Sequence, residues 1–112
     1  MKKLILLSIL TLSGIFGSRS YGQTIPEGSN QILVRIFEAW SGAETSEIIL
    51  SYGNQQSERI RLERASPKNW EYNTNKINEV LTNIMNAGFE IETSNMSGEA
   101  WRISTYIFKK KD

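Results

Sequence analysis

The sequence predicts an α+β two-layer sandwich, in which five mainly antiparallel strands form one sheet and a single helix packs on one face of it. One segment has the apolar spacing of an amphipathic helix, and five others alternate between apolar and polar residues as strands do. These segments follow one another in the order β-β-β-α-β-β. Short polar turns join neighbouring strands, and this favours antiparallel pairing.

The helix is predicted over residues 76–87. Its apolar residues recur at i, i+3, i+4, i+7 and i+8 and form one stripe, which consists of Ile77, Val80, Leu81, Ile84 and Met85. Gly88 follows at the position where a helix end takes a positive φ, which a Cβ atom disfavours. We expect the N-terminus to be capped by one of three polar residues, Asn73, Thr74 or Asn75.

The predicted strands span residues 31–40, 47–52, 57–64, 89–94 and 100–109. The third strand alternates between apolar and charged residues, with Arg59 and Arg61 facing outward, which is typical of a protected edge strand. In the fifth strand, the residues assigned to the face beneath the helix are Trp101, Ile103, Thr105 and Ile107. The residues assigned to the opposite, uncovered face are Arg102, Ser104, Tyr106 and Phe108.

The first 22 residues are predicted to be a Sec-type signal peptide, with cleavage between Gly22 and Gln23. Two lysines precede an apolar stretch over residues 4–16, which is shorter than the roughly 20 residues of a membrane span. The chain has no cysteine to carry a lipid anchor. We therefore expect a periplasmic or secreted protein with no stable membrane insertion after leader removal. Residues 23–30 are predicted to be a flexible lead-in, and residues 31–112 a single α+β domain.

The charge balance and the missing residue types limit the possible functions. Of 13 basic residues, three belong to the leader, so the predicted mature chain has ten basic residues against 12 acidic ones. This net acidic balance argues against nucleic acid as a partner. The chain has no histidine and no cysteine, and its only aspartate is Asp112. We expect no metal, no cofactor and no catalytic residue, because the commonest general base, thiolate nucleophile and zinc ligands are missing.

The uncovered sheet face is the predicted binding surface, because it combines large apolar groups with arginines. The residues assigned to this surface are Leu33, Arg35, Phe37, Arg59, Arg61, Arg102, Tyr106 and Phe108. We expect a small interaction module that binds a protein or another envelope component. The alternatives are a purely structural homodimer, a face that packs on the crossover loop, and a site for a ligand or carbohydrate.

Two further features allow more than one interpretation. Trp70 and Tyr72 precede the helix and are predicted either to plug the open end of the core or to line a ligand cleft. Glu90 and Glu92 are two residues apart on one strand, so they share a face and lie about 7 Å apart at the backbone. They could act as the acid and base of a small hydrolase. The favoured interpretation is ion pairing across the strands, with Arg102 as one partner.

Two segments resemble a small bacterial domain family of unknown function. Its members join a helix to a strand through a Gly-(Trp/Tyr)-Glu-Leu sequence, and Leu81 with Gly88-Phe89-Glu90-Ile91 matches that pattern. Tyr106-Ile107-Phe108-Lys109-Lys110 matches the family's last strand. Phe89 replaces the usual tryptophan or tyrosine, and Asn83 does not directly follow Leu81. The leader and the strand at residues 33–38 also resemble those of short secreted Bacteroidetes proteins. The resemblance implies this fold but no activity, cofactor or catalytic residue.

Overall fold

A computed structural model describes residues 24–41, 44–97 and 101–112. Its elements are β1 (Gln31–Ala39), β2 (Glu47–Gly53), β3 (Gln56–Arg61), a 3₁₀ turn (Pro67–Asn69), α1 (Trp70–Asn86), β4 (Phe89–Ser97) and β5 (Trp101–Lys110). The predicted α+β class is confirmed, with one five-stranded antiparallel sheet and one α-helix within the described ranges. The predicted signal peptide and its cleavage site lie outside those residues.

The strand order in the sheet is β3-β2-β1-β5-β4, and every neighbouring pair is antiparallel. The first and last strands of the chain therefore lie side by side, and β1 occupies the centre. The helix connects the two edge strands, β3 and β4. The edge position predicted for the third strand is confirmed, and its Arg59 and Arg61 are exposed.

The turn between β2 and β3 is a two-residue hairpin. Asn54 and Gln55 both have positive φ, at 53° and 62°, as a type I′ turn requires. Gly53 precedes them with φ at 92°, next to a shift in the strand register. The backbone twist of this turn matches that of the strands it joins, so β2 and β3 pair directly.

The core is a cluster of buried apolar side chains contributed by the sheet and the helix. β1 supplies Ile32, Val34 and Ile36, and the helix supplies Val80 and Ile84. The other members are Ile48, Leu50, Tyr52, Ile60, Leu62, Phe89 and Phe108. The central part of the predicted helical stripe is thus confirmed.

The other residues of the helical stripe are less buried than Val80 and Ile84. Ile77 and Leu81 are only partly buried against the cluster. Met85 was predicted to share the buried stripe, but its side chain is 44% exposed. Of the five stripe residues, Val80 and Ile84 are therefore the two that are fully buried.

The helix begins six residues earlier than predicted, because the 3₁₀ turn leads directly into it at Trp70. Asn73, Thr74 and Asn75 therefore lie inside the helix, and the prediction that one of them caps it is wrong. The buried Asn73 amide instead binds the backbone after β3. It accepts the Glu63 N–H at 2.9 Å and donates to the Glu63 carbonyl at 2.8 Å. This pair of hydrogen bonds ties the first helical turn to the sheet.

The C-terminal end of the helix agrees with the sequence prediction. Gly88 has φ at 98°, and its N–H donates to the Met85 carbonyl at 3.0 Å. The Gly88 carbonyl accepts the Lys111 N–H at 2.8 Å. The glycine thus lets the chain reverse directly into β4, beside the end of β5.

The face assignment predicted for β5 is wrong. Phe108 lies opposite Ile32 and Tyr106 opposite Val34, so both aromatic rings share the core side of the sheet. Phe108 is fully buried, and the Tyr106 ring stacks on it with a centroid distance of 6.4 Å. Both faces of β5 carry large apolar residues, so alternation alone could not decide between them. The pairing with β1 decides it.

The alternation predicted for β4 is interrupted by a bulge. Ile91 lies opposite Phe108 and Thr93 opposite Ile107, so Glu92 is an extra residue in the ladder. Phe89, before the bulge, is buried in the core. Ile91 and Thr93, on either side of the bulge, are both exposed. The extra residue changes which side chains face each side of the sheet.

Candidate functional site

The sheet face opposite the core cluster, here called the outer face, combines apolar side chains with one central arginine. The register places on it Leu33, Arg35, Phe37, Ile49, Ile103, Thr105 and Ile107. Its apolar side chains are all partly exposed, and Arg35 is exposed. Arg35 lies opposite Ile49 on one side and Thr105 on the other. This arrangement surrounds a positive charge with aliphatic and aromatic groups.

The structure brings five of the eight predicted surface residues to this side of the sheet. Three belong to β1, and the other two are Arg59 and Arg61 at the β3 edge. Arg102, Tyr106 and Phe108 lie on the core side instead, because the face assignment of β5 was inverted. The residues that replace them on the outer face are Ile103 and Ile107. Only the β1–β5 register identifies those two residues, and that register is not readable from local sequence.

The charges of the outer face are predominantly basic. The strands place Arg35, Arg59, Arg61 and Lys109 on this side, while the acidic side chains there are Glu47 and Glu90. Glu47 pairs with Arg59 at 3.8 Å, but the arginine is 70% exposed, so this ion pair contributes little stability. The described strands therefore leave an excess of positive charge around the apolar patch.

A second candidate site is a cleft at the end of the core where the helix begins, here called the tryptophan cleft. Its volume is about 290 Å³, and its lining residues are Glu38, Trp40, Ala65, Trp70, Asn73, Thr74 and Arg102. Arg102 Nη1 lies 3.8 Å from Glu38 Oε1, and the guanidinium lies over the Trp40 ring at 6.0 Å. Trp40 and Trp70 are 48% and 55% exposed.

The backbone around the tryptophan cleft is fixed by buried hydrogen bonds. The Ala65 N–H donates to the Ala39 carbonyl at 2.8 Å. The buried Ser46 hydroxyl accepts the Ala39 N–H at 2.9 Å. Asn73 holds the first helical turn against the chain after β3, as described above. Trp70 and the end of β1 are therefore held at a defined separation.

Trp70 and Tyr72 do not plug the core. Both lie in the first turn of the helix, and both are about half exposed. Trp70 lines the tryptophan cleft, as the second interpretation of the sequence expected, but Tyr72 is not among the lining residues. Tyr72 instead lies under the Lys76 ammonium, 5.7 Å from it. Trp40 was not singled out from the sequence, because it was simply the last residue of the predicted first strand.

The two carboxylates considered as an acid–base pair are both exposed on β4. Glu92 is the bulge residue, so the regular alternation that would align it with Glu90 is broken. Neither glutamate lines the tryptophan cleft. The predicted ion pair with Arg102 is wrong, because Arg102 pairs with Glu38, and Glu90 lies opposite Lys109.

The pKa of the Tyr52 phenol is strongly raised by its surroundings. The Tyr52 hydroxyl donates to Glu58 Oε1 at 2.6 Å, and the ring belongs to the core cluster. Burial raises the pKa of the Tyr52 phenol, and the hydrogen bond to the Glu58 carboxylate and its charge raise that pKa further. The phenol is therefore neutral at physiological pH and acts as a structural donor.

The described part of the chain contains neither a cluster of metal-ligating side chains nor a membrane-spanning helix. Within it, no group of three or more acidic, histidine or cysteine side chains is arranged to hold a metal ion. No helix in the same residues has the length and apolar character needed to cross a membrane.

Comparison with known proteins finds no matching family model, no matching curated protein and no matching solved structure.

Proposed function

We propose that the protein is an exported, non-enzymatic interaction module that binds an acidic protein surface through its outer face. The observation that carries the proposal is the partly exposed apolar patch around Arg35, with Leu33 and Phe37 beside it on the central strand. Aromatic and arginine side chains together are typical of the residues that dominate binding energy at protein interfaces. Export is supported by the composition of the first 22 residues.

The charge distribution favours a different protein over a second copy of this chain as the partner. A twofold dimer centred on the patch would bring two Arg35 guanidinium groups towards each other, and like charges at an interface destabilise it. An acidic partner would pair with Arg35 while its apolar groups cover Phe37. It would also be attracted by Arg59 and Arg61 at the edge.

The proposal can be tested by site-specific photo-crosslinking in the cells that produce the protein. A photoreactive residue at position 37 should give a covalent adduct with one partner protein. The matched control is position 85, because Met85 is an exposed apolar residue on the helix. The variant Arg35→Glu should suppress the adduct at position 37, since an acidic partner would then be repelled.

Three outcomes would contradict the proposal. Equal adducts from positions 37 and 85 would show that the patch is not specific. An adduct that consists of two copies of this chain, with a doubled mass in light scattering, would identify the structural homodimer instead. If Arg35→Glu left the adduct at position 37 unchanged, the proposal that the partner is acidic would be wrong. Circular dichroism of the Arg35→Glu variant should first show an intact fold, because Arg35 is exposed.

A further inference from the structure

The tryptophan cleft combines flat apolar surfaces with an ion pair whose two groups can still form hydrogen bonds with a ligand. Trp40 and Trp70 both line the cleft, and both residues are about half exposed. The 3.8 Å separation of Arg102 and Glu38 is too long for a direct hydrogen bond, so each group keeps bonding capacity towards the cleft. A ligand that fits must therefore offer an apolar face together with hydrogen-bond donors and acceptors.

The charges of the cleft favour a neutral ligand. Glu38 and Arg102 carry opposite charges and lie beside each other, so their long-range effects largely cancel. A cationic ligand would be repelled by the guanidinium, which already occupies a position over the Trp40 ring. An anionic ligand would be repelled by the Glu38 carboxylate.

A hydroxyl group matches the gap between the two charged groups. It can donate to the Glu38 carboxylate and accept from the Arg102 guanidinium at the same time, because one oxygen provides both functions. A proline-rich peptide, the other neutral ligand that favours exposed tryptophans, offers carbonyl acceptors and few donors. Such a peptide would satisfy Arg102 but would leave Glu38 without a donor.

We propose that the tryptophan cleft binds a neutral saccharide, with a pyranose ring stacked on Trp70 and a hydroxyl group between Glu38 and Arg102. The volume of about 290 Å³ is at the lower limit of ligand pockets, which suits one or two sugar rings of a longer glycan. The cleft lies on the core side of the sheet, so this binding is independent of the partner proposed for the outer face.

The test is a titration with neutral tetrasaccharides of glucose, mannose, xylose and N-acetylglucosamine. The protein is purified in the form that its own cells produce, and binding is followed by the NMR signals of the indole N–H groups. The chain has three tryptophans, so these signals can be assigned by single Trp→Phe variants. At least one saccharide should shift the signals of Trp40 and Trp70 in a saturable manner.

Three variants separate binding from folding. Trp70→Ala should weaken saccharide binding about tenfold or more, because it removes the stacking surface. Glu38→Gln should weaken it less, since the amide still accepts a hydrogen bond. Tyr72→Ala is the matched control, because Tyr72 is an equally exposed aromatic residue on the same helical turn but does not line the cleft. The Tyr72→Ala variant should bind the saccharide as tightly as the unmodified protein does.

The proposal is overturned if none of the four saccharides gives a saturable shift. It is also overturned if Trp70→Ala and Tyr72→Ala weaken binding equally, because the cleft would then not be the site. Saturable binding of a proline-rich peptide in place of every saccharide would identify the cleft as a peptide site.

Discussion

Replacing Phe108 by alanine should destabilise the domain far more than replacing its neighbour Ile107. Phe108 has no exposed surface and shares a cluster with Val80 and Ile84 of the helix. Truncating a fully buried phenylalanine costs about 3–5 kcal/mol, because it removes buried apolar area and leaves a cavity. Ile107 lies on the outer face and is partly exposed. Its truncation opens no closed cavity and should cost only about 1 kcal/mol.

The assay is urea unfolding followed by far-ultraviolet circular dichroism. A domain of this size has a total free energy of unfolding of roughly 5–10 kcal/mol, so Phe108→Ala could leave little folded protein. Phe108→Leu is therefore included, with an expected cost of about 1–1.5 kcal/mol. If Ile107→Ala were more destabilising than Phe108→Ala, the face assignment of β5 would be reversed. Ile107 would then lie on the core side, and the proposal that the outer face binds a partner would be wrong.

Three further changes test local features of the fold by the same unfolding assay. Gly88→Ala should lower the free energy of unfolding by about 1–2 kcal/mol, because residue 88 has φ at 98°, which a Cβ atom disfavours. No atom lies within 4 Å of the new Cβ, so the cost comes from the backbone conformation and not from a clash. Gln55→Gly should stabilise the domain by about 0.5–1 kcal/mol, since Gln55 has φ at 62° in a turn that favours Asn-Gly. Tyr52→Phe should cost about 1.5 kcal/mol at pH 7 through the lost bond to Glu58. A phenol whose pKa is raised on folding stabilises the domain fully below its unfolded pKa near 10 and less above that pH. The free energies of unfolding of Tyr52→Phe and of the unmodified protein should therefore converge near pH 11.

The features predicted correctly from the sequence are those that local patterns determine. The central stripe with Val80 and Ile84 follows from helical periodicity, and the end of the helix follows from the need for positive φ at Gly88. The antiparallel strands follow from short turns. In each case, a few neighbouring residues contain the whole physical cause.

The features predicted incorrectly depend on contacts between distant segments. The buried face of β5 is set by pairing with β1, which brings Phe108 beside Ile32 across most of the chain length. Asn73 does not cap the helix as predicted, because its amide forms hydrogen bonds with the backbone of Glu63, ten residues earlier in the chain. The tryptophan cleft was missed because Trp40 and Trp70 line one cleft only when β1 and the helix are packed together.

The central strand explains how one small domain could carry two separate binding surfaces. β1 is paired on both sides, so its backbone is fixed, and successive side chains face opposite sides of the sheet. Phe37 therefore belongs to the outer face, whereas its neighbour Glu38 lines the tryptophan cleft. Effects at the two surfaces should be additive, because their side chains lie on opposite sides of the sheet. If Arg35→Glu changed saccharide affinity, or Trp70→Ala changed the adduct at position 37, the two surfaces would have to communicate through movement of β1 itself.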